Sequence, residues 1–295
     1  MRKITVLAPA KVNLALDVVG LRPNGYHELD MVMQALTLCE RITLEKAAGL
    51  SLTLPGSDLP ANDSNVALKA ARSFLAYTKL STGAAITVEK RTPVQAGMGG
   101  GSADAAGVLF GLNELYADVL PRKLSMSELL ALCEPLGADV PFALLGGTCR
   151  VRGIGEELTA LPPLTGCGMV VIMPEQGVST PAAFQAFDAV EKPWHPDVAG
   201  LDAALRSGSF DGVCACAGNA LEAVGSSPDT PQIKMALRAC GAHATLMTGS
   251  GAAVFGLYPT VDDARTAAAV LRERFRRVYV TEPLPGGPYV ESCEA

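Results

Sequence analysis

Histidine and tryptophan are scarce in this chain: three histidines (His27, His195, His243) and one tryptophan among 295 residues. The eight cysteines, at 39, 133, 149, 167, 214, 216, 240 and 293, contain no C-x-x-C pair, and Cys214 and Cys216 lack a second pair or a nearby His. That leaves a zinc cluster without ligands and favours reduced core thiols in a cytoplasmic protein. Cationic excess is absent too: 24 Lys and Arg stand against 30 Asp and Glu, a net charge of −6. Nucleic-acid scaffolds select basic surfaces, so no nucleic-acid partner is expected. No run of about 18 apolar residues exists, so no membrane partner is expected either. Met1-Arg2-Lys3 ahead of Ile4–Leu7 and Ala8-Pro9-Ala10 imitates a secretory leader. The apolar stretch is too short, with Lys11, Asn13 and Asp17 close behind, and it reads as mature protein.

What is present is ample apolar material, 49% of the chain. A length near the limit of a single core predicts two domains. The most informative segment is Pro93-Val94-Gln95-Ala96-Gly97-Met98-Gly99-Gly100-Gly101-Ser102-Ala103. Four glycines within five positions allow positive φ and close approach of a ligand to the backbone. A helical pattern follows, with Val108, Leu109, Leu112 and Leu115 on one face. A flexible loop opening into a helix offers free N–H groups and the positive end of the helix dipole, a site for phosphate. No Lys follows the glycines, so the segment is not a G-x-x-x-x-G-K-[ST] loop, and it does not fit G-x-G-x-x-G.

Around the loop the pattern reads as α+β, compatible with a split βαβ sheet. Val12–Val18 alternates as a strand, Pro23-Asn24-Gly25 turns, and strands follow near 31–38, 41–45 and 51–54. A helix over 65–77 has Asn62, Asp63 or Ser64 available as its cap, and Ile86 and Val88 mark the strand that feeds the loop. Gly137 ends one helix, and Asp139 stands at the start of another with Pro141 in its first turn. A strand near 148–151 precedes a break around 159–166, which contains Pro162-Pro163. Beyond it, strands at 169–173, 245–248, 253–257 and 278–281 alternate with helices at 180–190, 201–207, 219–224, 231–240 and 262–275.

If a nucleotide phosphate sits on the loop, something must orient an acceptor and stabilise charge, because phosphoryl transfer is a reaction of positioning and electrostatics usually assisted by Mg²⁺. Ser102 offers a hydroxyl to metal or phosphate, or to the amides of the next helix as a cap. Asp139 is the best candidate base, with plain helix capping as its alternative. Lys11, on an apolar strand, either snorkels or meets a buried carboxylate; spacing alone does not join it to Asp139. Tyr26 and His27 follow a turn, as rim residues or as a surface for a planar base.

Pro9-Ala10-Lys11-Val12-Asn13-Leu14, Gly20–Leu29, Pro93–Ala103, Leu136–Phe142 and Met247–Gly251 occur in an order that resembles the galactokinase–homoserine kinase–mevalonate kinase–phosphomevalonate kinase (GHMP) superfamily. The first two segments resemble its diphosphocytidyl-methylerythritol kinase family in particular. Two departures are Ala103-Asp104, where a second Ser is common, and Asn24 in place of a common Asp. The resemblance implies an ATP-dependent kinase of isoprenoid biosynthesis acting on a cytidine diphosphate-linked sugar alcohol. In it Asp139 takes the hydroxyl proton and Lys11 orients Asp139 and acceptor. Tyr26 and His27 hold cytosine, Phe184 closes its other face, and Asn13 and Thr180 line the substrate side. The fold implied pairs a domain with left-handed βαβ topology like one in a ribosomal protein, residues 1–160, with a ferredoxin-like domain, 161–295. The partners expected are small molecules, with the chain acting as monomer or homodimer.

Overall fold

The computed structural model describes residues 1–294. Its first half comprises β1 (Lys3–Leu21), β2 (His27–Ala47), β3 (Ser51–Thr53), α1 (Val66–Thr78), β4 (Gly83–Glu89), α2 (Gly100–Leu115), α3 (Met126–Cys133) and α4 (Val140–Leu145). Next come β5 (Thr148–Gly153), β6 (Glu157–Ala160), β7 (Gly168–Ile172), α5 (Thr180–Asp188), α6 (Val198–Arg206), α7 (Phe210–Cys216), β8 (Gly218–Asn219) and α8 (Glu222–Gly225). The chain closes with α9 (Thr230–Ala239), β9 (Ala244–Met247), β10 (Val254–Tyr258), α10 (Val261–Leu271), β11 (Val278–Thr281) and β12 (Tyr289–Glu294).

Two sheets result, and the α+β class expected from the sequence is what the chain adopts. The larger runs β12-β1-β2-β4-β3, with β5 paired to β2 and β6, and β8 paired to β1. The smaller is antiparallel in the order β11-β7-β10-β9, with α9 and α10 packed on it. Leaving aside the elements inserted between β7 and α9, the chain order β7, α9, β9, β10, α10, β11 is the strand-helix-strand-strand-helix-strand run of the ferredoxin-like motif.

Local chemistry explains the framework. In β7, Met169 and Val171 face one core while Val170 and Ile172 face another, so the strand is apolar without alternation. The cap of α1 is Asn65, whose Oδ1 accepts from the Ala67 N–H at 2.9 Å. None of the three upstream residues expected to cap does so, because Asn62 spends its Oδ1 on the N–H of Ser64 at 3.0 Å. The single strand β2 replaces the two strands read at 31–38 and 41–45. Glu40, which broke the apolar pattern, is fully buried inside it. β6 and β12 carried no apolar signal because most of their residues are exposed.

Candidate active site

The glycine segment links β4 to α2. Gly99 occupies the cap position of α2 at φ 69°, and no side chain satisfies the first amides of this 16-residue helix. Free N–H groups and the helix dipole therefore converge where the loop ends. Loop and β1 are tied together by the Lys11 N–H, which donates to the Met98 carbonyl at 3.0 Å. Ser102 lies within the first turn and not at the cap, where Gly99 stands instead; its hydroxyl is left for the cavity it lines. Ala103 lines no cavity and is buried in the core beneath the loop.

A cavity of about 750 Å³ opens in front of this helix end. Lys11 and Asn13, two apart on β1 and so on one face, reach into it side by side. Lys11 is buried, and its ammonium donates to Asn13 Oδ1 at 2.7 Å. It also stands 3.5 Å from Asp139 Oδ2. Asp139 holds the cap position of α4, yet its side chain makes no capping bond and turns to the lysine. The plain cap reading thus fails, and the two residues that spacing could not join are neighbours. A half-buried carboxylate beside a buried ammonium is oriented by it, which suits a proton acceptor.

Gly97, Gly99 and Ser102 line the loop side of the cavity, and Tyr26, His27, Thr180 and Phe184 also border it. Tyr26 is 59% exposed. The His27 ring stacks on Phe184 with centroids 4.5 Å apart and planes 23° from parallel. Its Nε2 bonds Asp188 Oδ1 at 2.8 Å. Phe184 therefore lies directly against His27 with no slot for a base between those two rings. Stacking hides a face of each ring, and the Asp188 anchor holds the imidazole there. Thr180 begins α5 and shares a 2.7 Å hydrogen bond with Ser250.

A second cavity, about 350 Å³, lies across the glycine segment and is lined by residues 93–101. Leu59, Pro60, Asn65 and Val66 complete it with Lys90, Thr92 and Asp104. Sequence reasoning missed this second set. Its centre is an ion cluster: the buried Lys90 ammonium lies 2.7 Å from both Glu40 Oε1 and Asp104 Oδ2. Glu40 also accepts from the Arg91 N–H at 2.6 Å and from the Thr92 hydroxyl. Burial pushes the Asp104 carboxyl up to about 7 in spite of Lys90, and its Oδ1 has no partner. Asp104 could have been found as the departure beside Ala103, and Lys90 as a cation where β4 ends. Nothing local marks Glu40.

The pattern for the GHMP kinases N terminal domain matches residues 65–147, and that for GHMP kinases C terminal matches 201–277. A 4-diphosphocytidyl-2-C-methyl-D-erythritol kinase of Pelotomaculum thermopropionicum is 43% identical over 282 residues, covering 94% of this chain and 97% of that protein. The chain belongs to this family of GHMP kinases. It is an ATP-dependent small-molecule kinase. The enzyme of the same name from Desulfitobacterium hafniense is 41% identical, covering 97% of each chain. Among solved structures, a 4-(cytidine 5'-diphospho)-2C-methyl-D-erythritol kinase superposes with a TM-score of 0.78 at 35% identity, covering 95% of this kinase and 99% of that chain. A homoserine kinase from Cytophaga hutchinsonii reaches the same TM-score at 20% identity, covering 98% of each chain. At that identity the likeness shows the fold alone. No helix of the described residues is long and apolar enough to cross a membrane.

Proposed function

We propose that this kinase transfers the ATP γ-phosphoryl group to the 2-hydroxyl of 4-diphosphocytidyl-2-C-methyl-D-erythritol, a step of non-mevalonate isoprenoid synthesis. The observation that carries the reading is the Lys11–Asp139 pair, in a cavity that reaches both the glycine segment and the Tyr26–His27–Phe184 cluster. Residues 93–103 hold the ATP phosphates on backbone amides, and the smaller cavity takes the nucleoside. Asp139 accepts the proton of the acceptor hydroxyl. Lys11 orients Asp139 and favours the developing alkoxide. Tyr26, His27 and Phe184 bind cytosine, with Tyr26 free to stack, while Asn13 and Thr180 contact the sugar alcohol and its phosphates.

Mg²⁺ fits this donor set. Among the described residues no three His, Cys, Asp or Glu gather into a metal cluster. Mg²⁺ needs few protein ligands when phosphate oxygens and water supply the rest, and Ser102 offers a hydroxyl where the phosphates would lie. When bound, it would neutralise charge on the transferring phosphoryl group.

We also propose a division after residue 160, the first part carrying the glycine segment and Asp139, the second the ferredoxin-like sheet. In this division the tail strand β12 returns to pair with β1.

The test is ADP release from ATP with the cytidine acceptor, homoserine and mevalonate in parallel. Turnover confined to the cytidine compound is expected. Turnover with homoserine or mevalonate alone would overturn the acceptor assignment.

A further inference from the structure

The segment between β9 and β10 grips the phosphate loop from behind. The Ala252 and Ala253 N–H groups donate to the carbonyls of Gln95 and Ala96 at 3.4 and 3.2 Å, a short ladder between the two sheets' connecting loops. The loops interlock so closely that a β-carbon on Gly97 would stand 2.2 Å from the Thr248 carbonyl oxygen. Asn219 braces the gripping segment from the other side. Its amide donates to the carbonyls of Met247 and Gly249, at 2.8 Å each. Asn219 is itself registered against Leu16 of β1.

Thr248 stands where these parts meet, with no exposed surface. Its hydroxyl oxygen accepts the backbone N–H of Asn13 at 3.0 Å. A hydroxyl has one proton to give. Two acceptors lie in reach, the Gly97 carbonyl at 3.3 Å and Asn13 Oδ1 at 3.5 Å. The Gly97 carbonyl is the nearer of the two, and Asn13 Oδ1 has the Lys11 ammonium at 2.7 Å as a donor of its own. One side chain thereby joins the strand that carries Lys11 and Asn13, the glycine segment, and the ferredoxin-like sheet.

We infer that Thr248 is a positioning residue: its hydroxyl sets the glycine segment against the Lys11–Asn13 strand and so couples nucleotide binding to acceptor binding. The coupling half rests on the acceptor reading above. Removing the hydroxyl leaves the buried Asn13 N–H without this partner and unties the part-buried Gly97 carbonyl, although the methyl groups of valine fill the same space. A loop that must reorder when ATP arrives binds ATP more weakly. Linkage requires that whatever the acceptor does to ATP affinity, ATP does equally to the acceptor. Both effects shrink together once the bridge is gone.

The experiment compares wild type with Thr248→Val and Thr248→Ser, measuring calorimetric binding of a non-hydrolysable ATP analogue, kcat and thermal melting. Thr248→Val is expected to raise the analogue's Kd roughly 5–100-fold, the range for stranding buried hydrogen-bonding groups. Its kcat falls comparably, and the cytidine acceptor no longer changes analogue affinity. Thr248→Ser, which restores the hydroxyl, stays within about threefold of wild type, a margin below one typical net hydrogen bond. A Val variant with wild-type Kd and kcat overturns the inference, as does a Ser variant as impaired as Val. Thr248→Ala is a second hydroxyl-free variant; failure of both it and Val to fold would assign Thr248 to the core and also overturn the inference. The analogue arm needs no acceptor. A wild-type chain idle toward the cytidine compound therefore sinks the substrate assignment, while unchanged analogue binding by the Val variant sinks this one.

Discussion

The two flanks of the large cavity are made of different material. On the flank proposed for the nucleotide the contact surface is main chain, the glycine segment and the open first turn of α2, with an ion cluster buried beneath. On the acceptor flank it is side chain: an exposed tyrosine and a histidine stacked on a phenylalanine. A backbone cradle suits a polyphosphate tail common to many kinases, whereas rings and hydroxyls can change without disturbing the chain path.

If the flanks are separable, single substitutions should strike one and spare the other. The largest effect belongs to the proposed catalytic pair between them, Lys11 and Asp139. Asp139→Asn should lower kcat by roughly 10²–10⁴ while ATP affinity stays within a few-fold, read by steady-state kinetics and equilibrium binding. An Asn variant at wild-type rate would remove Asp139 from proton transfer. On the nucleotide flank, Lys90→Met strands two buried carboxylates. We expect about 3–5 kcal/mol of lost stability in urea unfolding, the range for breaking a buried ion pair. A variant as stable as wild type would mean the cluster carries no cooperative load.

On the acceptor flank, Tyr26→Ala should weaken the cytidine acceptor by about 1–3 kcal/mol through lost stacking, with ATP Kd and melting temperature unchanged. A shift in ATP binding instead would erase the distinction between flanks. The smallest effect is a slope. The Asp104 carboxyl is raised from 3.8 to about 7, so the folded state holds its proton more tightly than the unfolded chain does. Its contribution is complete below about pH 4 and disappears as pH rises through 7. Asp104→Asn should therefore flatten the decline in melting temperature between pH 5 and 8. An unchanged slope would show that another group controls it.

The nucleotide flank was legible in the sequence because its signal is local: four glycines and a helix start lie within ten residues. The base was legible as a residue type at a helix start, and the Lys11 partner that distinguishes it from a cap comes from a distant strand. Glu40 was illegible for the opposite reason. A glutamate between two apolar stretches looks like the end of a strand, and Lys90, Arg91 and Thr92, brought alongside where β4 ends, make its burial tolerable. β12 escaped notice because an edge strand is held by backbone bonds to β1 and needs little apolar patterning. The ring stack of His27 on Phe184 depends on α5 returning to the hairpin, which periodicity does not encode.

β1 is also a shared spine. Ile4, Val6 and Ala8 are embedded with α1 and α2, whereas Ala10, Val12 and Leu14 are embedded with β7 and β10. The ladder with β2 shifts register between Pro9 and Lys11, at the handover between those two interiors. Any rocking of one interior against the other must flex this strand at the lysine. Excising either half would peel apolar faces from the remainder, because this one strand is embedded in both interiors.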